Sequence, residues 1–82
     1  MKSITVNQLP IGSVRQVERV NAPSNNPHLA QQLEDIGFLP GEQVTVLRRG
    51  LLGDPLMVRI GTSTFALRRA EAQLIEVAII SQ

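Results

Sequence analysis

Apolar residues in this chain recur mostly with a period of two over short runs, and with a helical period only once. Ile4-Thr5-Val6 opens as a short strand-like run. Leu9-Pro10-Ile11-Gly12 then turns the chain, Pro10 fixing φ and Gly12 supplying freedom. Residues 13–20 predict the first long strand. Its apolar positions Val14, Val17 and Val20 are spaced by three rather than two, which predicts a bulge or a sharp bend.

After a loop over 21–26, Asn26-Pro27 reads as a helix start, with Asn26 as N-cap and Pro27 at the first helical position, or with the pair shifted by one. Leu29, Leu33 and Ile36 form one apolar stripe, widened by Ala30, while Gln31, Gln32, Glu34 and Asp35 face water. Gly37 follows the stripe as a residue suited to the left-handed region past a helix end. Pro40-Gly41 makes a turn with Pro at its second and Gly at its third position.

The second half is hairpin-like. In residues 42–49, Val44 and Val46 alternate against Gln43, Thr45 and Leu47. A loop over 49–55 carries Gly50 and Gly53. Leu56, Val58 and Ile60 then share one strand face, and Met57 and Arg59 the other. Gly61-Thr62-Ser63 reverses the chain, and Phe65 and Leu67 oppose Thr64, Ala66 and Arg68. One helical turn at 69–72 and a final short strand at 74–77 complete the pattern. The prediction is a mainly β fold, a small Greek-key or SH3-like barrel of about five antiparallel strands with one early helix and a late helical turn. Closing or nearly closing such a sheet protects its edges from aggregation.

The 82 residues amount to one domain, 1–82, with a small core and no room for a large cleft. Phe38 and Phe65 are the only aromatic residues. Modules that stack single-stranded bases or grip proline-rich peptides depend on aromatic faces, so both readings lose ground. The net charge is +1, too low to imply strong attraction to a nucleic acid or an anionic membrane. Cysteine is absent, which excludes disulfides and thiolate zinc sites. The N-terminus lacks a signal-like apolar region, and Val77-Ala78-Ile79-Ile80 is far too short to span a bilayer. A cytoplasmic chain that is not embedded in a membrane is expected. That apolar tail would cover the bottom of the barrel or join a dimer.

Few residues offer chemistry. One His and no Cys exclude a Ser/His/Asp or Cys/His arrangement, and Glu34 and Asp35 are helix neighbours that point apart, so no enzyme is expected. Gly53-Asp54-Pro55 has no Lys and precedes a strand, which argues against phosphate binding; Asp54 is expected to bond the local backbone and Pro55 to open a strand. Leu51 and Leu52 lie between two glycines beside Arg48 and Arg49. They either fold back on the barrel rim or form a partner-contact knob. Arg59 and Arg68 share the outer strand face and would sit close together, either as a solvated face paired with Glu71 or Asp54 or as a basic patch for an acidic partner. His28, in the first helical turn, is the one strong nitrogen ligand for Fe2+ or Zn2+. No cofactor is required, and a metal there would need carboxylates lent by Glu34 or by a neighbouring molecule.

Three stretches carry a resemblance: Leu33-x-x-x-Gly37-x-x-Pro40-Gly41, Gly53-Asp54-Pro55-x-x-x-Arg59, and Phe65-Ala66-Leu67-Arg68-Arg69-x-Glu71-Ala72. In this order and spacing, from about Leu9 to Val77, the chain resembles the FeoA family, the small ferrous iron transport protein A. A similar barrel closes iron- and manganese-responsive repressors. The resemblance implies an SH3-like barrel in the bacterial cytoplasm, recruited to the inner face of the inner membrane. It also implies a non-enzymatic helper that modulates iron uptake by binding the cytosolic GTPase region of the FeoB transporter, and it brings no catalytic residues. Partner contact is assigned to Arg48, Arg49, Leu51, Leu52, Arg59 and Arg68. Two alternatives stay open: a metal-responsive regulatory domain that oligomerises, and a nucleic-acid-binding small barrel.

Overall fold

The computed structural model describes residues 4–78. Six strands form one antiparallel sheet: β1 (Ile4–Thr5), β2 (Val14–Val20), β3 (Gln43–Arg49), β4 (Leu56–Ile60), β5 (Ser63–Leu67) and β6 (Ile75–Val77), in the spatial order β1-β6-β2-β3-β4-β5. The helices are α1 (His28–Ile36) and the single turn α2 (Arg69–Ala72). This is the SH3-like architecture expected, with six strands where about five are expected from the sequence. The opening strand-like run gives the two-residue β1, in which Ile4 pairs with Val77 and Thr5 with Glu76. Val6 belongs not to that strand but to a 3-10 turn at Val6–Gln8.

β2 curls the sheet. Its first half, Val14 to Gln16, pairs with β3, and its second half, from Val17, pairs with β6 across a register shift between Val17 and Arg19. At the crossing point the Val17 N–H donates to the Glu42 carbonyl and the Val17 carbonyl accepts from Gly41, each at 2.8 Å. The three-residue apolar spacing therefore marked a real bulge, where one strand serves two partners.

Val6, Leu9, Val17, Leu33, Phe38, Val44, Val46, Leu56, Val58, Ile60, Leu67, Ala72, Ile75 and Val77 build one core, with no polar or charged side chain buried among the described residues. Phe38 and Phe65 meet at a tilt of 54°, ring centroids 6.5 Å apart. α1 begins at His28 with Pro27 in the capping position and no side-chain cap; the Asn26 carbonyl, not its side chain, accepts the Leu29 N–H. Only Leu33 of the stripe is fully buried, with Leu29 and Ala30 half-buried and Ile36 exposed. Gly37 (φ +135) ends α1, and the Gly37 and Phe38 amides bond back to Glu34 and Leu33, which swings Phe38 into the core. Ile79 and Ile80 of the apolar tail lie outside the described residues.

Candidate functional site

The loop joining β3 to β4 is closed by a backbone hydrogen bond at its base and apolar at its tip. The Gly50 amide donates to the Pro55 carbonyl at 2.7 Å and closes the base. Above it, Leu51–Gly53 winds into a 3-10 turn, with the Gly53 amide on the Gly50 carbonyl at 2.9 Å. Leu52 sits in the left-handed region (φ 62°, ψ 20°), and the Asp54-Pro55 peptide is cis. Leu51 and Leu52 are 88% and 87% exposed, so neither folds back on the rim.

Two bonds tie this loop to α2. The Asp54 carboxylate accepts the backbone N–H of Arg69 at 3.0 Å, and the Arg69 guanidinium donates to the Leu52 carbonyl at 2.8 Å. Asp54 thus bonds backbone remote in sequence, not the local backbone expected of it. It satisfies one of the amides left free at the start of α2, while Glu71 accepts the neighbouring Arg68 N–H at 2.8 Å.

Strand register lays out the face below the tip. Arg48 lies opposite Met57, and Met57 opposite Ala66. One step along, Val14 lies opposite Thr45, Thr45 opposite Arg59, and Arg59 opposite Thr64. Shallow depressions flank Pro55, one lined by Arg48, Arg49, Gly50 and Met57, the other by Asp54 and Arg68. Arg48, Arg59 and Arg68 are exposed, and the one ion pair among the described residues, Arg19 with Glu76 at 3.1 Å, involves none of them. The face therefore carries three guanidinium groups without a carboxylate partner among the described residues. Arg59 and Arg68 are not adjacent. Arg59 is opposite Thr64, whereas Arg68 follows Leu67, the partner of Leu56 at the far end of the hairpin.

Arg49 has an internal task. It is half-buried, and its guanidinium donates to the carbonyls of Asn7 (3.0 Å) and Leu9 (2.5 Å), stapling the 3-10 turn after β1 to the loop base. Arg69, next to the hairpin strands with Arg59 and Arg68, turns its guanidinium to the loop. Its partners Leu52 and Asp54 lie 17 and 15 residues away, so no local pattern could have marked those contacts.

His28 is exposed at the first residue of α1, which packs against β2, and so stands on a different element from the loop. Asp35 accepts a hydrogen bond from Gln31 at 2.9 Å. Among the described residues no three His, Cys, Asp or Glu side chains come together as metal ligands. One imidazole falls short of the three or four donors that a dedicated site uses, so the donor set does not fit a metal centre built within these residues. No helix among them is long and apolar enough to cross a membrane.

Solved structures reproduce this architecture. The FeoA of Stenotrophomonas maltophilia, described as complexed with zinc, is 36% identical and superposes with a TM-score of 0.83, the match covering 92% of this chain and 89% of that one. The FeoA protein of Chlorobium tepidum is 32% identical, with a TM-score of 0.82 over 95% of this chain and 71% of that one. A manganese-dependent transcriptional repressor shares the fold (TM-score 0.79, 22% identity) over 95% of this chain and 41% of its own length. The family model for the FeoA domain matches residues 4–79. With nearly its whole length matched, the chain belongs to the FeoA family, accessory SH3-like domains of ferrous iron transport and not a known family of enzymes.

Proposed function

We propose that this chain acts in ferrous iron transport as a docking module for the cytosolic GTPase region of the membrane transporter FeoB, and so works at the inner face of the bacterial inner membrane. The observation that carries the reading is the pair of leucines, 88% and 87% exposed, on a loop held by its own hydrogen bonds. Two adjacent leucines gain nothing in water, and burying each in a partner contributes about 1.5–3 kcal/mol. Below them Arg48 and Arg68 flank Pro55, and Arg59 lies further along the same outer face; none of the three has an ion-pair partner among the described residues. Such a face speeds encounter with an acidic surface, while the leucines hold the complex once formed.

The test is a double substitution, Leu51→Ser with Leu52→Ser, measured by titration against the purified cytosolic region of the transporter. Binding is expected to weaken at least about 100-fold, as two lost apolar anchors predict, with the melting temperature unchanged because neither side chain contributes to the core. Unchanged affinity overturns the reading.

A further inference from the structure

The leucine tip needs a holder. Leu52 occupies a left-handed backbone conformation (φ 62°) that suits glycine or asparagine and is sterically disfavoured for leucine. The chain nevertheless places there a long apolar side chain that makes no use of the core. Three contacts hold the conformation. The Arg69 guanidinium donates to the carbonyl of Leu52 itself, the Asp54 carboxylate takes the Arg69 backbone N–H, and the Gly53 amide returns to Gly50. Arg69 thus grips the loop by its side chain and is gripped by its backbone, and α2, packed by the buried Ala72, fixes both.

We propose that Arg69 and Asp54 are positioning residues for partner binding: they lock the Leu51–Leu52 turn in the conformation the partner receives, without touching the partner. The inference rests on the docking reading above. A loop already ordered in its bound shape loses less freedom on association, so the clamp contributes to affinity although it lies outside the interface. Arg69 suits the task because its planar fork aims donors at a fixed angle, which the rotating ammonium of lysine does not reproduce.

The experiment compares Arg69→Met and Arg69→Lys with Leu51→Ser/Leu52→Ser in the full chain. Each is titrated against the purified cytosolic GTPase region at about 0.1 M and about 1 M salt, where the screening length falls from about 10 Å to about 3 Å. Hydrogen exchange at the Gly53 and Asp54 amides is measured in parallel. The expected result is about tenfold weaker binding for both Arg69 variants, the same factor at both salt concentrations, with faster exchange at those two amides. Binding within twofold of the unsubstituted chain for Arg69→Met, while the leucine variant loses binding, overturns the clamp and leaves the docking reading intact. A defect in Arg69→Met that disappears in Arg69→Lys or at high salt also overturns it, since that marks a direct charge contact. Full binding by the leucine variant overturns the docking reading itself.

Discussion

Asp54 caps a helix that lies 15 residues further along the chain: its carboxylate accepts the Arg69 backbone N–H at 3.0 Å. The bond joins the β3–β4 loop to α2 and does for α2 what an N-cap side chain normally does from the adjacent position. Removing such a cap costs about 1 kcal/mol. Asp54→Ala is therefore expected to lower the melting temperature by about 4–8 °C, the shift that 1 kcal/mol produces in a domain of this size. A thermal melt checks it, and an unaltered midpoint would show that the bond contributes nothing.

Adjacent arginines are expected to separate cleanly. Arg49 satisfies the carbonyls of Asn7 and Leu9 from a half-buried position, and losing charged hydrogen bonds of this kind costs about 1.5–3 kcal/mol. Arg48 is exposed, and its replacement is expected to stay within about 0.5 kcal/mol. Urea unfolding of Arg49→Met and Arg48→Met measures both. Equal stability losses would contradict the division of labour.

Gly50 is required for space, not for conformational freedom. Its φ lies outside the left-handed region, but a Cβ there would meet the Asp54 carbonyl oxygen and the Pro55 Cδ, each at 2.9 Å. Both belong to the opposite side of the closed loop base and cannot rotate away. Gly50→Ala is expected to destabilise the chain by about 1–3 kcal/mol, the cost of overpacking. It should also weaken partner binding through displacement of the tip. A crystal structure of the variant with the loop base unmoved would refute this.

Much of the barrel is written in local pattern. Leu56, Val58 and Ile60 alternate and are buried, the Val14, Val17, Val20 spacing announces the bulge, and Gly37 ends α1 where the stripe stops. What local pattern cannot carry is pairing across the chain. The run at Ile4-Thr5-Val6 reads as strand-like, but its pairing with Val77 and Glu76 and its end before Val6 are set by partners more than 70 residues away. Ile36 continues the helical period yet is 40% exposed, because the core ends before it. The same reason hid part of the candidate site. The apolar tip was visible as Leu51-Leu52 between glycines, whereas Arg49 as a staple and Arg69 as a clamp depend on partners 15 to 42 residues away.

The outer arginines are expected to act on the rate of association. Arg48 on β3 and Arg68 beyond β5 lie on either side of Pro55, each lining a depression below the leucine tip, and neither forms an ion pair among the described residues. Arg48→Glu with Arg68→Glu reverses the local charge without disturbing buried contacts. At about 0.1 M salt the association rate is expected to fall about tenfold or more, with a smaller change in the dissociation rate, because steering acts before contact forms. At about 1 M salt the difference should vanish, since the Debye length of about 3 Å screens charges still separated in the encounter. Stopped-flow kinetics against the cytosolic GTPase region distinguish the cases. A defect confined to dissociation and insensitive to salt would place both arginines inside the bound interface as anchors, and would overturn their assignment as a steering face.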